Sequence, residues 1–240
     1  LKEGLYNDYE NKNKILDLIR FKSTNDNNLS NLADYKEKMQ EDQKEIYFIL
    51  GENEQLLRNS PLLEKFKSKN YNVLILDEDI DGIVFPMVSE YKDIKIVNVT
   101  DAKFEGEDNK EDNEKLQKDN ETLINDFKNI LGEDVKDVKA SARLTDSPAV
   151  IVADIDDPNF AMMQMMKQMG QGMDTPEPKP IFEINPDHDL VKKFTDSRDQ
   201  NLKEDIAKTL FDQAKLFNGQ TLEDQASFIK RMQNIMTKAL

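Results

Sequence analysis

The chain has no cysteine and no tryptophan, and its single histidine is His188. Without cysteine there is no disulfide framework and no thiolate nucleophile, and one histidine alone cannot furnish a cysteine–histidine zinc site. Phosphate loops are missing as well. There is no Gly-x-x-x-x-Gly-Lys and no Gly-x-Gly-x-x-Gly, and no Gly-x-Ser-x-Gly elbow that would present a hydrolase serine. No apolar run approaches the roughly 20 residues of a membrane span, and no signal peptide opens the sequence. Positive charge is the scarcer sign, with 33 Lys and Arg against 48 Asp and Glu, for a net charge of −15. So acidic a chain repels nucleic acid and anionic membranes, so neither is an expected partner. A cytoplasmic location fits the missing cysteine. The start at Leu1-Lys2-Glu3, without methionine, reads as a cut from a longer protein.

What is present is a regular alternation. Asn11 to Phe21 reads as a short helix, and Asn31 caps a second one with Asp34 in its first turn. Three apolar bursts, Ile46–Leu50, Tyr71–Leu76 and Ile94–Val99, read as buried strands. Between them Ser60-Pro61 opens a helix, and Asp81 to Tyr91 reads as another, with Pro86 inside it. Strands alternating with helices imply a parallel sheet in a three-layer α/β/α unit. A charged stretch from Asp101 to Glu121 follows, then a helix with Leu123, Ile124, Phe127, Ile130 and Leu131 on one face, closed by Gly132. Strands are expected at Val135–Ala140, Ala149–Ala153 and Ile181–Ile184, and Asn185-Pro186 opens a helix with His188 in its first turn, in a structural role. The expected class is α/β, α+β overall: a small α/β/α unit with a short parallel sheet, then a mixed domain ending in a helix pair.

That final pair carries wide apolar faces. Leu202, Ile206, Leu210, Ala214 and Phe217 recur on the first helix, which Gly219 stops. On the second, capped by Thr221, Leu222, Ala226, Ile229, Met232 and Met236 form a stripe that Phe228 and Ile235 widen. Two adjacent helices cannot hide such faces in each other. Either they pack on the preceding strands, or two chains build a four-helix bundle. A second apolar face stands out in Asn159 to Met173, where Met162, Met165, Met166, Met169 and Met173 share one side of a helix. Methionine is flexible and polarisable, so such a face suits varied partners, although an apolar stripe also packs as ordinary core. Asp77-x-Asp79-x-Asp81-Gly82 resembles half of a calcium loop but has Val88 where the closing Glu belongs, so no metal is expected. No catalytic and no cofactor-binding residue is identified, and a binding protein is favoured over an enzyme.

Three segments then match one family in order and spacing: Arg20-Phe21-Lys22-Ser23-Thr24, Arg143-Leu144-Thr145-Asp146-Ser147-Pro148, and Phe182-Glu183-Ile184-Asn185-Pro186-Asp187-His188. Along nearly its whole length the chain resembles the ninety-kilodalton heat-shock chaperones, closest to their bacterial branch. The resemblance implies that residues 1–22 end a preceding middle-domain part. It makes 23–101 the small α/β/α part and 102–240 the C-terminal dimerisation domain, with a linker at 102–112. ATP and magnesium then belong to the parent protein, and none to this chain, which is expected not to be an enzyme. The implied partners are a second copy and unfolded or partly folded client proteins. A second copy would be met through Leu202, Ile206, Leu210, Phe217, Leu222, Phe228, Ile229, Met232 and Met236. Bacterial relatives hold clients through an amphipathic helix aligning with Phe160 to Met169, which assigns Phe160, Met162, Met163, Met165, Met166 and Met169. They also use the helix start that aligns with Ile83. The alternative is a self-contained enzyme working at the strand ends around Leu50, Asp77 and Thr100.

Overall fold

The computed structural model describes residues 1–26, 28–102, 110–153 and 179–239. They form two compact units, Leu1–Lys103 and Phe104–Leu240.

In the first unit the sheet runs in the order β1 (Lys22–Ser23), β3 (Val73–Leu76), β2 (Ile46–Leu50), β5 (Ile94–Asn98), β4 (Glu90–Tyr91). The central pairings of β2 with β3 and with β5 are parallel, and the two short edge strands are antiparallel. Alternation along β2 builds two cores, because successive side chains leave opposite faces of a strand. Ile46 and Phe48 join Leu5, Leu16, Leu32 and Phe85 on one side. Tyr47 turns to the other, edge-on to Phe66 and stacked on Tyr71. Helices α1 (Gly4–Asn7), α2 (Lys12–Leu18), α3 (Leu32–Glu37) and α6 (Asp79–Val84) supply the first layer. The other layer comes from α4 (Glu54–Arg58) and α5 (Glu64–Ser68). Asn31 caps α3 as expected, accepting from the Asp34 N–H at 2.7 Å. The hydroxyl of Tyr35 accepts from the Gln43 amide and from the Tyr47 N–H and donates to the Asn72 carbonyl. Burial pushes it up to about 12, so it stays protonated and keeps that donated bond.

The helix expected over Asp81 to Tyr91 is much shorter. α6 ends at Val84, a 3₁₀ turn spans Phe85–Met87, and β4 follows. Pro86 has no N–H for the helix and its ring bars the next turn. Lys92 and Asp93, both at positive φ, then make the tight turn into β5.

The second unit has a three-stranded sheet ordered β6 (Asp137–Ala140), β8 (Ile181–Ile184), β7 (Ala149–Val152), parallel between β6 and β8 and antiparallel between β7 and β8. α7 (Lys110–Asp119), α8 (Glu121–Leu131), α9 (Asp189–Asp196), α10 (Gln200–Phe217) and α11 (Gln225–Ala239) complete it. Phe127 of α8 stacks on Phe194 of α9 at 4.2 Å between ring centres and leans on Phe182 of β8. Gly132 closes α8 at φ +53, a conformation that side-chain-bearing residues adopt at a cost. The helix expected after Asn185-Pro186 begins at Asp189, with His188 as its cap: Nδ1 accepts the Leu190 N–H at 3.1 Å. Likewise the last helix is capped by Asp224, which accepts the Ser227 N–H at 2.9 Å, and not by Thr221. The mixed α/β class expected from the sequence is the one observed.

Candidate functional site

Among the described helices longer than ten residues, α11 alone has no buried residue. Its neighbour α10 is deeply seated. Ile206, Ala207, Leu210, Phe211 and Ala214 enter the core of the unit, against α8 and β7, and Leu202 packs at its edge. Ile206, Leu210 and Leu222 are therefore closed off within their own chain. Of the stripe expected to meet a second copy, they anchor the helix pair and offer no free area. The expectation that these helices pack on preceding strands describes α10, while α11 is different.

α11 lies on α10 by a mixed side, in which Met232 takes the Gln213 amide at 3.8 Å and polar residues make the remaining ties. Arg231 pairs with Asp212, Lys238 with Asp199, and the Asn234 amide donates to Asp205 at 3.4 Å. Ser227, Arg231, Asn234 and Lys238 recur at helical spacing, so this polar stripe was present in the sequence, where it passes for a solvent-facing side. Its consequence is that part of the apolar side of the helix is left facing outward. Ile229 and Met236 are 54% and 53% exposed, Phe228 and Met232 are half-buried beside them, and Phe217 is exposed at the end of α10. Only Ile235 reaches the core of the unit.

In the first unit, Ile83 is 38% exposed on α6 and Met87 equally so in the following turn. The acidic run before them is structural. Asp81 is buried, with the Lys2 ammonium 2.7 and 2.9 Å from its two carboxylate oxygens. Burial pushes its carboxyl up, and Lys2 opposes that shift. No metal-ligating group of His, Asp or Glu occurs among the described residues. At the strand ends, Asp77 is held by Lys22 at 2.7 Å, Lys22 by Glu54 at 2.8 Å, and Glu54 by Arg58 at 2.9 Å. The carboxylates there neutralise neighbouring cations, and the Thr100 hydroxyl donates to Asp101 at 2.9 Å. Phe160, Met162, Met163, Met165, Met166 and Met169 lie outside the described residues.

The two long motifs meet across the second sheet. Glu183 of β8 accepts from the Ser141 hydroxyl at 2.8 Å and pairs with Arg143 at 3.1 Å. Asn185 donates to the Ser147 carbonyl at 3.2 Å, and its own N–H reaches the Pro148 carbonyl at 2.9 Å. These residues tie the β6–β7 loop to the central strand.

A family model described as Hsp90 protein matches residues 1–240. The chain is 47% identical over 242 residues to the chaperone protein HtpG of Sulfurimonas denitrificans, covering 100% of this chain and 38% of that protein. It is 46% identical to HtpG of Wolinella succinogenes, covering 100% and 39%. The chain thus spans under two-fifths of the length of these relatives. Among solved structures, the middle domain of a Plasmodium falciparum heat shock protein is 40% identical, with coverage of 42% and 43% and a TM-score of 0.41. The family model and the HtpG relatives overturn two exclusions, that the chain is not an enzyme and that it takes no cofactor. The family match runs from the first residue to the last and leaves no part of the chain outside a family to which ATP and magnesium belong. The missing phosphate loop excludes only that loop, since one chemistry recurs on unrelated sites.

Proposed function

Because the chain belongs to the Hsp90 family, we propose that it works in a molecular chaperone by pairing with a second copy and holding unfolded or partly folded protein. The observation that carries this is α11, whose polar side chains are taken up by its own chain while Ile229 and Met236 face water. An apolar helix face left open in this way calls for a partner, and a second identical face meets it by two-fold symmetry. Phe217, Phe228, Ile229, Met232 and Met236 form the contact, while Ile206, Leu210 and Leu222 brace it from behind. Within this reading residues 23–101 are the small part of a middle domain that residues 1–22 lead into. Residues 102–240 are the dimerisation domain, entered through a linker at 102–112, and the compartment is the cytoplasm. Clients are held by the apolar side chains of Phe160, Met162, Met163, Met165, Met166 and Met169, together with Ile83. Two copies of such a surface grip one client better than either alone.

Sedimentation of the full chain from nanomolar to micromolar concentration tests the pairing, with a rise to twice the chain mass expected. Suppression of aggregation of an unfolded substrate tests the holding. Changing Met162, Met165 and Met166 together to Ser is expected to abolish suppression while mass and melting temperature stay put. A triple variant that melts early yet still suppresses aggregation per folded molecule would make the methionines core.

A further inference from the structure

No residue of α11 is fully buried; Ile235 alone packs on the core and Met232 takes the Gln213 amide at 3.8 Å, so hydrophobic packing fixes the rotation of the helix on α10 only weakly. Something else must keep Ile229 and Met236 pointing outward, because an exposed apolar arc gains by rolling onto any surface near it. The ties to α10 are unequal. Lys238 and Asp199 are each more than two-fifths exposed, so salt screens them, and the Asn234–Asp205 bond is long. Arg231 and Asp212 are enclosed, with side chains 18% and 16% exposed. At about 100° per residue, Arg231 stands about 200° from Ile229 and about 140° from Met236 around the helix axis. Pinning Arg231 inward therefore turns both apolar side chains out.

We propose that the Arg231–Asp212 pair sets the rotation of α11 and so selects the face that a second copy meets. The proposal rests on the pairing of two chains described above. It also accounts for an otherwise unfavourable choice of residue. Arg231 Nε is buried without a partner, and an enclosed ion pair seldom adds stability over apolar side chains of similar size. Its return is orientation, since a guanidinium fork has one good seat on Asp212, whereas a Met–Leu contact tolerates many rotations.

The experiment replaces the pair by apolar residues, Arg231→Met with Asp212→Leu, in the full chain. Thermal stability is expected to hold or rise, while the dimer dissociation constant rises about tenfold or more. The charge-exchanged pair, Arg231→Asp with Asp212→Arg, is expected to recover most of the affinity. A doubly apolar variant that dimerises as tightly as the parent overturns the proposal. A second measurement stands apart from pairing. The chain has no cysteine, so Ile229→Cys introduces a single thiol, whose rate of labelling at high dilution reports whether position 229 faces water. The doubly apolar background is expected to slow that labelling severalfold. Equal rates in both backgrounds overturn the proposal, whatever the mass. A parent chain that stays monomeric at every concentration defeats the pairing reading, and the labelling rates still decide the role of the ion pair.

Discussion

Ile229→Asp separates association from folding, and the structure sets both magnitudes. Ile229 is 54% exposed and sits on a helix with no fully buried residue. In the single chain the new carboxylate is hydrated and breaks no ion pair, so stability should change by no more than about 0.5 kcal/mol. In the paired state the same carboxylate is pressed against the apolar arc of the other copy, and two-fold symmetry places it there twice. An uncompensated charge at a closed contact costs about 3–5 kcal/mol. Even about 3 kcal/mol raises a dissociation constant by roughly two orders of magnitude. Sedimentation equilibrium at micromolar concentration should therefore find the variant monomeric, with a calorimetric melt at high dilution matching the parent. Leu210→Ala supplies the contrast. Leu210 is buried in the core of its unit, and its truncation should lower stability by about 2–5 kcal/mol. Two results would refute the reasoning. If Ile229→Asp dimerises with parental affinity, the contact lies elsewhere. If it melts like Leu210→Ala, α11 is core and its apolar arc is no interface.

Phe127→Ala should cost about 3–5 kcal/mol, read as a fall in the urea midpoint of the second unit, because Phe127 is fully buried between Phe194 and Phe182. Gly132→Ala meets no atom within 4 Å, so its effect is backbone strain alone at φ +53, an expected loss of about 1–2 kcal/mol in the same assay. Acid should loosen the α10–α11 hairpin. Lys238 and the Leu202 N–H hold the Asp199 carboxyl below its ordinary 3.8, and the Ser227 hydroxyl and N–H do the same for Asp224. A depressed carboxyl contributes stability that is complete above its unfolded value and lost as pH falls through the folded one. Amide exchange in α11, corrected for intrinsic rates, should therefore speed up as pH drops below about 4, where these contributions fade. Asp199→Asn should remove part of that acid response.

Much of the fold was legible because local rules and burial agree there. Ile46–Leu50 is apolar throughout and Ile181–Ile184 is apolar but for Glu183, and both emerge as strands over those same residues. Asn31, Gly132 and Gly219 act where their backbone chemistry demands. Boundaries slipped where several candidate caps stood in a row. Between Thr221 and Asp224, and between Asn185 and His188, each polar residue could accept the first free N–H, and only the path of the chain chose among them. Pro86 was visible as an interruption, yet whether the chain kinks or turns back as a strand depends on β5 lying beside it.

The candidate site divides in the same way. Periodicity alone identified the apolar stripe of α11, because the spacing of Ile229, Met232 and Met236 is a property of the helix itself. It could not tell that Ile206 and Leu210, equally periodic, are sealed inside α10's own core. That distinction depends on which helix reaches the sheet first, and the residues of α8, β7 and α9 decide it from distant parts of the chain. The polar stripe Ser227–Arg231–Asn234–Lys238 was equally readable as a pattern, but its meaning reversed when Asp199, Asp205 and Asp212 came to face it. A single helix determines which residues share a face. Whether that face looks toward water, its own core or a second copy is settled by its neighbours, since burial and ion pairing are properties of two surfaces together.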